Sequence, residues 1–234
     1  MLLYHGPSSE AAELLARYPF FNLVVCAHNG DEPGLTRTIG NTTLVSAGTN
    51  GKYIGEVKPV TANSAQKPIV QYTALGPKYK DDTRVQGLHR AYLDRLAAEN
   101  LIHDVNRRAT DSGDAYAGSD ACKPCHEKAY QKWRNSNHAH ATRTLAARHE
   151  DRDPECLVCH TVGFDRESGY DGVRTVPDLG DVGCESCHGA AQGHVKNPAN
   201  RHMPPVTENA CRACHVLEHS PSFSHEAYWR KIAH

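Results

Sequence analysis

Four copies of one five-residue pattern constrain this chain more than any other feature of its sequence. The pattern Cys-x-x-Cys-His recurs four times between residues 122 and 215 and uses eight of the nine cysteines. In chain order the copies, called motifs 1 to 4, are Cys122, Cys125 and His126; Cys156, Cys159 and His160; Cys184, Cys187 and His188; and Cys211, Cys214 and His215. Strand patterns disappear in this half of the chain, so its own side chains cannot build a conventional apolar core.

The spacing within each motif has a chemical reason. Two thiols separated by two residues can bond the two vinyl-derived carbons on one porphyrin edge, and the next residue turns its imidazole beneath the iron. The motifs therefore predict four covalently attached haem c groups, which would supply the missing core. Two alternatives use the same thiols. Two Cys₄ zinc sites would not require a histidine after each second cysteine, and two-residue spacers favour redox or ligand roles over a disulfide scaffold.

The second axial ligand of each iron is expected to be histidine. Only Met1 and Met203 could offer sulfur, and Met203 lies in a Pro-rich turn. Histidines outside the motifs are plentiful in the same half: His138, His140, His149, His194, His202, His219, His225 and His234. Bis-histidine ligation without methionine favours low reduction potentials.

The chain as a whole is predicted to be α+β, with two regions and a linker. Residues 1–104 are typical of an α/β region, residues 105–118 are polar and predict a linker, and residues 119–234 predict a mostly helical and irregular haem domain. Strands are predicted at 2–4, 22–27, 42–47, 52–57 and 69–75, and helices at 8–17, 81–102, 122–135, 139–148 and 226–233.

Charge and hydropathy exclude some classes of partner. The chain has 26 Lys+Arg against 27 Asp+Glu, which gives no electrostatic case for nucleic acid or an anionic membrane. No stretch approaches the roughly 20 apolar residues of a membrane span. The first residues lack the pattern of a secretory signal. Because haem c is ordinarily attached outside the cytoplasm, we expect a periplasmic or extracellular protein whose export signal is absent from this sequence, or the tail of a longer precursor.

Three segments carry a resemblance to a known family. Tyr116-Ala-Gly-Ser-Asp-Ala-Cys-Lys-Pro-Cys-His126, Trp133-x-x-Ser-x-His-Ala-x-Ala141 and Gly183-Cys-Glu-Ser-Cys-His-Gly189 resemble the tetrahaem cytochrome c-554 family over residues 116–234. The resemblance implies distal ligands for three haems. It pairs His138 with His188, His194 with His215, and His234 with His126, and it leaves the haem on His160 without an assigned partner.

The haem on His160 has two possible states. An open site would bind small molecules, whereas a spare histidine or a neighbouring subunit could fill it. We expect it to be filled, so that all four haems have two histidines. The leading candidates are His149 and His202, because neither lies inside a matched motif.

The N-terminal region resembles a different family. His5-Gly6 and Ala27-His28 each follow a predicted strand, and with the segments Gly40–Gly48 and Gly51–Gly55 they resemble the second half of calcineurin-like metallophosphoesterases, including 5′-nucleotidase relatives. The metal-binding segments of that family's first half have no counterpart here. A two-metal site needs ligands from both halves, so no phosphoesterase activity is expected. Cys26 is expected to be a buried structural thiol.

These features favour an electron-transfer protein over an enzyme. The expected partners are redox proteins or other multihaem cytochromes, and self-assembly into an extracellular filament, a nanowire, is a structural variant of the same function. The alternative is an oxidoreductase acting on small nitrogen compounds at an open haem. A fused phosphoesterase with a haem tail is the third possibility.

Overall fold

The structure is a computed structural model, and it describes residues 1–27, 35–58, 67–76, 78–172, 178–216, 219–220 and 222–234. It divides into two compact units, Met1–Asp82 and Thr83–His234. His28, one of the residues in the phosphoesterase resemblance, lies outside the described residues.

The first unit is built on a four-stranded sheet. Its strands are β1 (Leu2–Tyr4), β2 (Leu23–Cys26), β3 (Leu35–Ile39) and β4 (Thr42–Ser46), in the order β1-β2-β4-β3. β1, β2 and β4 are parallel, and β3 is antiparallel to β4. Helix α1 (Ser8–Arg17) makes the crossover between the first two parallel strands, as the connection between parallel neighbours requires.

The core of this unit lies between α1 and the sheet. Ala11 and Leu15, one helical turn apart, are buried against Val24, Cys26 and Leu44. Burying each of the larger side chains stabilises the fold by roughly 1.5–3 kcal/mol. Cys26 is therefore a buried core thiol, as expected.

A two-stranded hairpin completes the unit. β5 (Tyr53–Lys58) and β6 (Ile69–Ala74) pair antiparallel. The Tyr72 hydroxyl donates a hydrogen bond of 2.6 Å to the carbonyl of Leu35, which joins the hairpin to β3.

The second unit is helical and irregular. Its helices are α2 (Thr83–Glu99), α3 (Glu127–Arg134), α4 (Ala141–Ala146), α5 (Pro154–His160), α6 (Cys184–His188), α7 (Gln192–Lys196), α8 (Glu208–Arg212) and α9 (His225–Ile232), with 3₁₀ turns at Leu101–His103, Ser119–Ala121 and Asn137–His140. Its apolar cluster is small, comprising Ile102, Leu145, Leu157 and Phe164. So small a core agrees with a unit that is completed by bound groups.

The mixed α and β class is confirmed, but the units differ from the predicted boundaries. The division falls after Asp82, not near 104, and α2 belongs to the second unit. The predicted linker 105–118 is held in that unit by hydrogen bonds. Arg107 donates to the carbonyl of Phe164, and Ala115 accepts from the backbone of Gln192. The polar composition of this segment predicted a linker, but its polar side chains and backbone groups form hydrogen bonds with the rest of the second unit.

Two elements also differ in extent. The predicted helix 122–135 begins only at Glu127, because motif 1 forms a turn that directs its cysteines and histidine. The sequence did not predict β3, whose Leu-Thr-Arg-Thr-Ile run is half polar. Among the described residues, no helix is both long and apolar enough to cross a membrane.

Candidate haem-binding centre

Each of the four motifs lies on a single turn of helix. The backbone N–H of His126 donates to the carbonyl of Cys122 at 2.9 Å, and His215 donates to Cys211 at the same distance. Motif 2 ends α5, whose first turn is capped by the Asp153 carboxylate, and motif 3 forms α6. One turn brings the two thiols and the imidazole of a motif to one place, which is the local geometry that haem attachment needs.

The motifs meet in a spatial order that differs from their order in the chain. The thiols of Cys122 and Cys184 lie near enough to shift each other's pKa, which places motif 1 beside motif 3. Cys159 and Cys214 influence each other in the same way, which places motif 2 beside motif 4. Helices α6 and α8 pack together and bring motif 3 to motif 4. The motifs therefore form a row in the order 1, 3, 4, 2.

Three proximal histidines each face a second histidine across a gap. The ring centres are 6.3 Å apart for His126 and His194, 6.0 Å for His188 and His234, and 6.2 Å for His138 and His215. Two imidazoles on opposite sides of one metal ion have ring centres roughly 6 Å apart, because each metal–nitrogen bond is about 2 Å long and the ring centre lies about 1 Å further back. The three gaps fit one iron each.

Hydrogen bonds fix which ring nitrogen is available at several of these rings. Nδ1 of His160 lies 2.9 Å from the carbonyl oxygen of Ala141, Nδ1 of His194 lies 2.5 Å from that of Arg201, and Nδ1 of His234 lies 3.0 Å from that of Ile232. A proton on Nδ1 that is donated to a carbonyl leaves the lone pair of Nε2 for a metal.

Burial favours the neutral imidazole that can bind iron. It lowers the pKa of His138, His188 and His215 below the ordinary histidine value. A protonated ring has no lone pair for a metal, so the lowered pKa keeps these three rings in the form that can ligate.

All three expected distal histidines lie opposite a motif histidine, but none of them faces the motif histidine with which it was expected to pair. The backbone of His138 does run beside motif 3, where its carbonyl accepts from the N–H of Val182 and the Trp133 indole donates to the Val182 carbonyl. Its ring nevertheless faces His215 and not His188. Although the backbone of His138 lies beside motif 3, its side chain points to the histidine of motif 4.

The other two pairings follow from long-range hydrogen bonds. His194 lies on α7, which is tied to the segment before motif 1 because the N–H of Gly193 donates to Asp114. It therefore meets His126 and not His215. His234 is brought back along α3, where Lys132 donates to the carbonyl of Ala233. There it faces His188 and not His126.

His160 differs from the other motif histidines. Among the described residues, no second imidazole ring contacts its ring, and neither His149 nor His202 is brought to it. His149 is exposed at the end of α4 with a left-handed backbone (φ 61°). His202 lines a cavity of about 450 Å³ together with His188 and His194. The expected filling of this site by His149 or His202 thus has no geometric support here.

A buried carboxylate that the sequence did not single out joins motif 3 to the approach of motif 1. Glu185 is 3% exposed, and its oxygens accept hydrogen bonds from the backbone N–H groups of Ala117, Gly118 and Ala191 at 2.8 to 3.1 Å. Burial raises the pKa of Glu185 above the ordinary value, while these three donors act in the opposite direction. Its position inside motif 3 was the only signal, and spacing alone does not show burial.

The alternatives to haem find no site in the structure. All nine cysteines are free, so no disulfide scaffold is present. In the described part of the chain, no group of three or more His, Cys, Asp or Glu side chains converges to hold a metal ion. Two imidazoles facing each other across about 6 Å suit the two axial positions of a haem iron, whereas structural zinc takes four ligands that converge in a tetrahedron.

Comparison with known proteins gives the same chemistry. Residues 121–189 match the family described as cytochrome c554 and c-prime. Cytochrome c-554 of Nitrosomonas europaea is 33% identical over 109 residues, which cover 40% of this chain and 46% of that protein. The chain thus spans less than half the length of this curated relative. No solved structure matches the chain.

The cofactor prediction is confirmed: the second unit is similar to c-type cytochromes of the c554 type and carries covalently attached haem c. The resemblance of the first unit to metallophosphoesterases has no support from these comparisons and stays a prediction.

We predict that Glu185→Gln destabilises the second unit by about 1–3 kcal/mol, because the amide nitrogen cannot accept from the backbone N–H groups that a carboxylate oxygen serves. Urea unfolding followed by haem absorption measures the change. Glu167→Gln, at an exposed position, is the matched control and should change stability by less than about 0.5 kcal/mol. Equal stability of both variants would show that the Glu185 hydrogen bonds contribute nothing.

Proposed function

We propose that the second unit is a tetrahaem electron-transfer module in which three irons are each held by two histidines. The observation that carries this proposal is the set of three imidazole pairs with ring centres 6.0 to 6.3 Å apart. Each pair contains one motif histidine and one distant histidine. The two rings of each pair come from separate parts of the chain, and all three pairs have nearly the same spacing, which one iron between each pair explains.

The row of motifs supports transfer over a distance. Haem c, when bound, accepts and releases single electrons at its iron. The protein holds the attachment points close together, because thiols of neighbouring motifs influence each other's pKa at two joints and helices pack at the third. Bis-histidine ligation favours low potentials. The order 1, 3, 4, 2 gives a single path with motif 1 at one end and motif 2 at the other.

We predict that His138→Ala, His194→Ala and His234→Ala each keep four covalent haems while one additional haem changes from low spin to high spin. Each substitution removes the second imidazole of one pair and leaves the motif intact. Electron paramagnetic resonance of the oxidised protein measures the spin states, and a pyridine haemochrome assay gives the haem count. His149→Ala and His202→Ala are the matched controls and should leave the spectrum unchanged. An unchanged spectrum in His138→Ala would exclude its pairing with His215.

The site on His160 favours a second candidate function. Among the motif histidines of the described chain, its ring alone lacks an opposing imidazole, and an iron held there by His160 would then offer its sixth position to a small molecule. An oxidoreductase acting on small nitrogen compounds would require such a position. In the wild-type protein, one high-spin haem that shifts when nitric oxide is added would support this candidate. Four low-spin haems would exclude it and restore the expectation of a filled site.

One end of the row suggests how a partner binds. Cys125 and His126 of motif 1 are exposed, whereas the cysteines and histidines of the other motifs are at least half-buried. Exposed cations outnumber exposed carboxylates at this end. Lys123, Lys128 and Lys132 lie in or beside motif 1 with Asp120 and Glu127, and Lys132 reaches the C-terminus of α9, which carries Lys231. The chain as a whole has a net charge of −1, so this positive surface is local. We infer that an acidic surface of a redox partner docks here.

We predict that the double variant Lys123→Glu/Lys128→Glu slows oxidation of the reduced protein by anionic ferricyanide several-fold and speeds oxidation by cationic hexaamminecobalt. Charge focused at an electron-transfer site changes association rates by about 10- to 1,000-fold. Stopped-flow absorbance over a range of ionic strength measures both rates. Lys58→Glu/Lys67→Glu makes the same change of charge in the first unit and should alter neither rate comparably. Equal effects of the two double variants would remove the case for docking at motif 1.

The first unit is proposed to be non-catalytic. Its strand–helix–strand start and its parallel strands support the resemblance to metallophosphoesterases, but the sequence offers ligands of only one half of a two-metal site. A periplasmic or extracellular location, where haem c is attached, and assembly of copies into a filament stay part of the proposal. Electron micrographs of purified protein would distinguish filaments from single particles.

We predict that the purified protein does not hydrolyse p-nitrophenyl phosphate or nucleotides, even with added manganese, because half of the metal site is missing. A phosphate-release assay measures this activity. Manganese-dependent turnover that is lost in both His5→Ala and His28→Ala would overturn the prediction.

A further inference from the structure

The ring of His215 in motif 4 is held by a side chain, whereas the rings of His160, His194 and His234 are held by main-chain carbonyls. Its Nδ1 lies 2.9 Å from the hydroxyl oxygen of Ser220. In the pairs at motifs 1 and 3, by contrast, one ring donates to a main-chain carbonyl, from His194 to Arg201 and from His234 to Ile232. In the described chain, neither His215 nor its partner His138 has a carbonyl acceptor.

Two tight turns after motif 4 produce this contact. The N–H of Ser220 donates to the carbonyl of Val216 at 2.8 Å, and the N–H of Phe223 donates to the carbonyl of Ser220 at 2.9 Å. Ser220 and Phe223 both lie against the ring of His215. Ser220 reaches its edge, and Phe223 reaches its face.

Two aromatic rings pack against His215. The Phe223 ring is stacked on it with centres 4.7 Å apart and an angle of 10° between planes. The Tyr228 ring meets it edge-on at 5.4 Å, and Phe223 and Tyr228 are in contact at 5.1 Å. A flat ring stacked in this way restricts rotation of the imidazole about its bond to the chain.

The hydrogen bond on Nδ1 controls how strongly a histidine donates electrons to a metal. A strong acceptor draws the Nδ1 proton away and raises the basicity of Nε2, which stabilises the more highly charged ferric state. A hydroxyl is a weaker acceptor than a carbonyl and can turn to donate elsewhere. His215 therefore donates less electron density than rings with a carbonyl acceptor.

We propose that Ser220 and Phe223 are positioning residues of the motif 4 haem, and that they set its reduction potential above those at motifs 1 and 3. This inference rests on the proposed function, since it requires haem on motif 4. Motif 4 lies between motif 3 and motif 2 in the row, so its potential governs the passage of electrons between the paired sites at motifs 1 and 3 and the site on His160.

Variants of Ser220 test the inference in the complete haem-loaded protein. Ser220→Ala removes the acceptor, and one of the four potentials should shift to a more positive value. Ser220→Asp supplies a stronger, charged acceptor, and the same potential should shift to a more negative value. Ser220→Thr keeps the hydroxyl and should leave that potential close to wild type. Ser222→Ala, two residues away at an exposed position, is the matched control and should shift none.

Spectroelectrochemistry measures the four potentials, and electron paramagnetic resonance gives an independent readout for Phe223. The low-spin ferric signal of a bis-histidine haem depends on the angle between its two imidazole planes, here 51° for His138 and His215. Phe223→Leu should change the signal of one haem and leave the others as they are.

Two results would overturn the inference. Potentials that are the same in Ser220→Ala and Ser220→Asp would show that the hydroxyl does not tune His215. A wild-type motif 4 potential below those at motifs 1 and 3 would show that its ligand field is not the weaker one. If Ser220→Ala loses its fourth haem, the comparison of Ser220→Thr with Ser220→Asp decides the matter. Fewer than four haems in the wild-type protein would instead contradict the proposed function.

Discussion

A gap of one size between paired imidazole rings is the constraint on which the second unit depends. Iron can be held from both sides only if two rings face each other at that spacing, and the three pairs draw their members from α6, α7, the turn before α4, and both ends of the haem region. Each pair therefore ties distant segments together. The unit has a small apolar cluster of its own, so ligation and the flat faces of the haems replace much of the packing that other domains obtain from side chains.

Hydrogen bonds between segments prepare this arrangement. Glu185 joins motif 3 to the segment before motif 1, Asp114 ties α7 to that same segment, and Lys132 holds the end of α9 beside α3. These contacts place His194 and His234 at their partners. The function then depends on where the fold places these ligands. The chain contributes ligands, orientation and burial, and the haem contributes the redox chemistry.

The sequence predicted the features that depend on residues close together in the chain. Thiol spacing and the following histidine lie within one helical turn, so motifs 1 to 4 could be identified without a structure, and the family resemblance supplied His138, His194 and His234 as distal candidates. Their pairing could not be predicted, because it depends on contacts such as Gly193 with Asp114 that link residues far apart in the chain. Glu185 was missed for the same reason. The polar segment 105–118 was interpreted as a linker because composition does not distinguish solvated polar groups from hydrogen-bonded ones.

An experimental structure of the haem-loaded protein, at a resolution that shows the axial ligands of every iron, tests the central claim most directly. The account predicts irons between His126 and His194, between His188 and His234, and between His138 and His215. An iron held between His138 and His188, or between His194 and His215, would contradict it.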